Sequence, residues 1–233
     1  MRFPRLLRLA ALALCGHAMA APAVVEDSLA QRLQACTVCH GTQGQAAPDG
    51  YRPRIAGKPA GYLYHQLLNF RDGRRHYGPM VRLVDPLSDA YLREIAAHYA
   101  ALDLPYPAPT PATAPAELLQ RGRRLVQHGD PARQLPACTA CHGDALTGML
   151  PATPGLLGLP RDYLVAQLGA WIHGQRRAHA PDCMADVAQR LTADEVGAVS
   201  AWLASQSVPV GAKPAARTTA LPLRCGSVVE ASP

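Results

Sequence analysis

The 233-residue chain is 48% hydrophobic but only 5% aromatic, with 2 Phe and 2 Trp, so it has little with which to build a large aromatic core. Its formal net charge is +6, and Arg2, Arg5 and Arg8 fall in the first ten residues. Without them the chain carries +3, too weak a field to hold a polyanion, which excludes nucleic-acid binding. Beyond the first twenty residues no run approaches the ~18 consecutive apolar residues of a membrane-spanning helix.

Residues 1–20 read as an export signal: three arginines, an apolar stretch from Leu6 through Cys15 broken by Arg8, and Ala18-Met19-Ala20 as a small-x-small cleavage site. Cys15 sits in a loose lipobox, but Leu14 is too large for the position before a lipid-modified cysteine, so Cys15 leaves with the signal. Export predicts a periplasmic protein, soluble or with loose peripheral membrane association, in a compartment where disulfides form.

The first domain is expected over residues 21–104. A helix from Glu26 to Ala35 leads into Cys36-Thr37-Val38-Cys39-His40, the pattern of covalent c-type haem attachment. The spacing lets two cysteines reach the two vinyl edges of one porphyrin while the adjacent histidine turns beneath the ring toward iron. Apolar spacing predicts a second helix over Ala60–Asp72, and Ser88 caps a third running to Leu102. Residues 105–116 contain five prolines and no apolar periodicity, and read as a linker short enough to keep its two domains neighbours.

The second domain, residues 117–207, repeats the plan. Glu117–His128 leads toward Cys138-Thr139-Ala140-Cys141-His142, Arg161–His173 matches the Ala60 helix, and Thr192–Ser205 opens on the capping box Thr192-Ala193-Asp194-Glu195. The motifs lie 102 positions apart. Pro53 and Gly57 answer to Pro154 and Gly158, and Tyr62, Gln66, Phe70 and Gly73 to Tyr163, Gln167, Trp171 and Gly174, at an offset of 101; Met80 and Met184 correspond at 104. Zinc would need both motifs to converge on one metal, and a dithiol redox pair would sit in a βαβ pattern; the repeat of separate modules fits neither. No strand alternation is read anywhere.

Two haem c groups are therefore expected, held covalently by Cys36, Cys39, Cys138 and Cys141, with His40 and His142 as one axial ligand each. Two ferric haems bring the exported chain near about +1. The sixth ligand is expected to be Met80 in domain 1 and Met184 in domain 2, since a thioether favours Fe(II) and closes the iron to peroxide or oxygen. Met149 competes with Met184 but lies only seven residues past His142; His76 and His179 offer bis-histidine ligation. The carbonyls of Pro53 and Pro154 are candidates to accept from the proximal imidazoles, and Arg74, Arg75, Arg176 and Arg177 to hold propionates. Cys183 and Cys225 remain as a pair, and export together with a cysteine-bearing tail, residues 208–233, predicts a disulfide between them.

Taken together, the doubled haem motif, the Pro-x-x-x-Gly segments, the Tyr-Leu-x-x-Gln-Leu helices and the Met preceding Leu-Ser or Leu-Thr resemble the dihaem cytochrome c4 family over residues 27–205. The resemblance implies an all-α fold of two tandem class I cytochrome c domains related by a pseudo-twofold axis, with haem edges facing across the interface. It implies an electron carrier rather than an enzyme, binding no substrate and passing electrons from a quinol-oxidising complex or dehydrogenase to a terminal oxidase. A dedicated cytochrome subunit of a periplasmic dehydrogenase and a dihaem peroxidase are the competing readings. Cys183 and the tail depart from the family pattern.

Overall fold

The computed structural model describes residues 27–228 apart from 48, 110 and 112; the expected export signal lies outside the described residues. Among the described residues, domain 1 contains four helices: α1 (Leu29–His40), α2 (Ala60–Arg71), α3 (Gly78–Val84) and α4 (Asp89–Ala101). Ser28 and Ser88 cap α1 and α4, each hydroxyl accepting an amide of the first turn, from Gln31 at 3.4 Å and Tyr91 at 3.3 Å. The first haem motif occupies the last turn of α1, so that helix runs five residues past its expected end at Ala35.

Domain 2 contains α5 (Ala116–His128), α6 (Cys138–His142), α7 (Arg161–Ile172), α8 (Cys183–Gln189) and α9 (Ala193–Ser205). Here the helix before the motif stops at Gly129, which takes φ +65°, and a short 3-10 turn, Pro131–Arg133, intervenes before the motif forms α6. Any side chain at Gly129 would run into the Leu135 carbonyl. Thr192 and Glu195 complete the capping box of α9: the Thr192 amide donates to the Glu195 carboxylate at 2.9 Å, and the Glu195 amide to the Thr192 hydroxyl at 3.3 Å.

Two features correct the sequence reading. The short helices α3 and α8, seven residues each, were not predicted, because two turns carry too few apolar positions for a helical period. A two-residue antiparallel ladder, β1 (Gly148–Met149) with β2 (Thr153–Pro154), is likewise too brief for any alternation.

The cores differ in form. Domain 2 packs Leu125, Val126, Tyr163, Leu164, Val199 and Leu203 into one cluster, and α5 crosses α9 so closely at Gly122 that a Cβ there would meet the Ala198 carbonyl. Domain 1 divides into Leu33, Leu63, Ile95 and Tyr99 on one side and Phe70, Val84 and Leu92 on the other. The linker is pinned to both. The Arg54 guanidinium donates to the carbonyls of Leu104 at 2.6 Å and Pro105 at 3.0 Å and stacks on Tyr106, whose ring packs on Gly158 of domain 2.

Candidate haem crevices and the interface between them

A single cavity of about 790 Å³ runs through both domains, and both haem motifs open onto it. Cys36, Cys39 and His40 line it in domain 1, and Cys138, Cys141 and His142 in domain 2. Each histidine is oriented by a prolyl carbonyl: His40 Nδ1 lies 2.9 Å from the Pro53 oxygen, and His142 Nδ1 lies 2.7 Å from that of Pro154. A carbonyl can only accept, so Nδ1 carries the proton and Nε2 keeps its lone pair. Burial pushes the His142 imidazole down to about 4, against the opposing Pro154 hydrogen bond; burial also lowers His40. Both rings are thus held neutral, the form that binds iron. Burial raises the Cys138 thiol to about 12 and lifts Cys36 in the same direction.

This donor set fits haem c. Four thiols and two neutral imidazoles face one cavity, with apolar walls from Leu63, Leu67, Phe70, Leu164, Leu168 and Trp171. Among the described residues, no group of three or more His, Cys, Asp or Glu side chains is placed to share a metal ion. Met80 on α3 and Met184 on α8 line the cavity at equivalent places in the repeat, whereas Met149 lies in β1 outside the lining. His76 and His179 also reach the lining; His179 stacks 5.4 Å from His65, with its Nε2 3.4 Å from Arg74.

The four arginines proposed for propionates divide into two kinds. Arg74 donates to Asn69 and Asp72, both at 2.7 Å, and Arg177 is exposed; neither lines the cavity. Arg75 and Arg176 do line it, and clamp the domains together. Arg75 donates to Gln66 of its own domain at 3.0 Å and to Gln167 of the other at 2.7 Å; Arg176 donates to Gln167 at 2.7 Å and to Gln66 at 2.9 Å. Each guanidinium stacks on an aromatic ring of its own domain, Phe70 at 4.5 Å or Trp171 at 3.8 Å. The backbone pairs here too: Arg75 bridges Arg176, the His76 amide donates to Gln175, and the Arg177 amide to Arg74. The repeat had matched Gln66 with Gln167 without showing that the matched residues meet. Their shared offset of 101 with the neighbouring Tyr, Phe/Trp and Gly positions was the available signal.

The tail covers domain 2. Ala215 joins β1, its amide donating to Gly148 at 3.0 Å while the Leu150 amide donates to its carbonyl at 2.7 Å. Arg217 donates to Thr153 at 2.7 Å and to the Cys141 carbonyl at 3.3 Å. Leu221, Leu223 and Val228 then enter the cavity wall, and Cys225 is disulfide-bonded to Cys183 with Cα atoms 5.1 Å apart. Cys183 directly precedes Met184, so the bond ties the tail to the α8 segment that presents that methionine. The tail and Lys58, a buried cation at the interface, carry no sequence motif, and only the fold brings them to the crevices.

No protein-family model matches the chain. It is 38% identical over 174 residues to a thiosulfate dehydrogenase electron acceptor from Thiomonas intermedia (strain K12), covering 73% of this chain and 78% of that relative. It is 34% identical over 193 residues to a cytochrome c4 from Thiocapsa roseopersicina, covering 81% and 96%. Among solved structures it superposes on reduced recombinant cytochrome c4 from Pseudomonas stutzeri with a TM-score of 0.66 at 27% identity, covering 77% of this chain and 97% of that one. It also superposes on a thiosulfate dehydrogenase from Marichromatium purpuratum, TM-score 0.66 at 35% identity, covering 74% of this chain but spanning only 36% of that larger protein.

Proposed function

The chain belongs to the cytochrome c4 family, a dihaem electron carrier of two class I cytochrome c domains, and from that premise we propose that it is a periplasmic relay accepting electrons from a dehydrogenase. The observation that supports relaying over two independent carriers is the shared cavity: both sets of haem-binding residues open onto one space bridged by the Arg75 and Arg176 clamp. Haem supplies reversible one-electron chemistry at iron. The chain's own residues hold each imidazole neutral and fixed and line the cavity with apolar walls, and Met80 in domain 1 and Met184 in domain 2 would supply a thioether as second ligand to a bound haem. With His and Met ligating each bound haem, no position would be open for peroxide or oxygen, and the protein would transfer electrons without transforming a substrate.

A dehydrogenase as donor is favoured by the likeness to proteins named for thiosulfate dehydrogenase and its electron acceptor; for the onward acceptor we propose a terminal oxidase. Electrons enter through domain 1. Its crevice wall includes the exposed Tyr51 and Leu83, whereas the tail adds its half-buried Leu221 and Leu223 to the cavity lining. In the test, oxidised holoprotein is mixed with a thiosulfate dehydrogenase and thiosulfate, and haem reduction is followed by absorbance. Rapid two-electron uptake that slows several-fold in Leu83→Glu supports the reading, and no uptake overturns the donor assignment. Peroxide turnover by the reduced protein would overturn carrier function itself. For the ligands, Met184→His is expected to keep one haem six-coordinate while lowering its midpoint, leaving the other unchanged, because imidazole stabilises Fe(III) more than a thioether does.

A further inference from the structure

Lys58 is buried, 5% exposed, and lines the haem cavity. Burying an ammonium is costly unless it is paired, yet among the described residues no carboxylate lies within ion-pair distance of it. Its hydrogen-bond partner is a backbone carbonyl of the other domain, that of Gly155, to which Nζ donates at 3.0 Å. Gly155 follows Pro154, whose carbonyl orients the His142 imidazole. A domain 1 cation therefore sits one residue from the group that sets the proximal side of the second crevice.

The repeat shows what this cation replaces. In domain 1 the residue after the orienting proline is Arg54, 3% exposed, donating to the Ala56, Pro105 and Leu104 carbonyls and likewise unpaired with any carboxylate among the described residues. Its counterpart in domain 2 is Gly155, with no side chain. None would fit: a Cβ at Gly155 would lie 2.6 Å from the Thr147 carbonyl oxygen and 2.8 Å from its carbon. Domain 2 has no room for a cation of its own at that place, and Lys58 brings one in from the neighbouring domain.

We infer that Lys58 is a positioning residue for electron transfer at the second haem: it supplies in trans the buried positive charge that Arg54 supplies in cis at the first, raising the second haem's reduction potential and making it depend on the seating of the two domains. The physics is direct. Reduction removes one positive charge from the iron, so a buried cation beside the site favours the reduced state, undamped by bulk water. Burial and the Arg54 charge lower Lys58 only to about 8, so it remains mainly an ammonium at neutral pH, and its charge in turn presses on His142.

The test uses the full-length holoprotein, with each midpoint assigned to its domain by NMR contacts between haem methyls and neighbouring side chains. In Lys58→Met the second haem's midpoint is expected to fall, equivalent to a roughly tenfold drop in its reduced-to-oxidised ratio at fixed ambient potential, while the first haem's stays in place. Lys58→Arg should restore it. Lys58→Gln, which keeps a donor for Gly155 but no charge, should behave like the methionine variant and carries the decision if Lys58→Met does not load haem. Midpoints that stay put, that move together, or that remain wild-type in Lys58→Gln overturn the inference.

Discussion

The two domains share one scaffold and stabilise it differently. Domain 1 spreads its buried apolar residues over two small clusters; domain 2 gathers them into one and adds the capping box, two arginines on Glu195, and a disulfide-bonded tail. The haem-facing positions nonetheless match, with a prolyl carbonyl behind each histidine and a methionine in the lining of each half. The cofactor-binding positions thus hold their arrangement whether the surrounding protein is sparse or braced, and the sparse half leans more heavily on haem for its core.

That dependence gives the largest effect. Cys36→Ala with Cys39→Ala, which prevents attachment in domain 1, is expected to unfold that domain outright, read as protease cleavage between residues 27 and 104 with a haem-bearing domain 2 fragment surviving. The mirror variant, Cys138→Ala with Cys141→Ala, should leave domain 2 partly protected by its own core and tail. Equal cleavage in both halves would erase the contrast.

Next in size is the staple. The Cys183–Cys225 bond closes a loop across 42 positions, and replacing both cysteines by serine should lower domain 2 stability by up to ~4 kcal/mol in the chain-entropy account. Denaturant unfolding monitored at the haem bands should show one transition moving and the other fixed. If both move, the domains unfold as one unit and the interface clamp is the dominant brace.

Glu195 comes third. Burial alone would raise its pKa, but Arg133, the Thr192 amide and Arg121 outweigh burial and hold the carboxylate at about 2. Its folded pKa thus lies below the unfolded value near ~4.3. The stabilisation is complete above that value and is lost as pH falls from there to about 2. Glu195→Gln should cost domain 2 about 2 kcal/mol at neutral pH and flatten its acid unfolding within that window. Domain 1 has Tyr91 at the matching place after Ser88, so its acid unfolding should not change.

Most of the scaffold was legible because its signals are local. Helices α2, α4, α7 and α9 follow apolar spacing and caps, and the haem motifs are contiguous in sequence. The hidden parts are those that depend on approach. Nothing near Lys58 announces that Gly155 will lie 3.0 Å from its Nζ across a domain boundary, and the tail's Leu221 and Leu223 have no partner motif. Gly129 ends α5 through the nearness of the Leu135 carbonyl, which spacing cannot show. Arg74 and Arg75 look alike in sequence; one is held by Asn69 and Asp72 within its own domain, and the other by a glutamine of the opposite domain.

The smallest expected effect tests whether the two domains correspond as far as their iron ligands. Met149 is half-buried in β1, where it bridges Ala215 of the tail, and its sulfur packs close to Gly143. Met149→Leu conserves volume and should cost less than ~1.5 kcal/mol. It should also leave intact the red-region thioether-to-iron absorption of both haems, because Met184, set on α8 as Met80 is on α3, faces the cavity in its place. Loss of half of that band on changing Met149, with none lost on changing Met184, would move the ligand to β1. Domain 2 would then present its methionine from a strand seven residues beyond His142, and the correspondence of the two domains would end at Gly174.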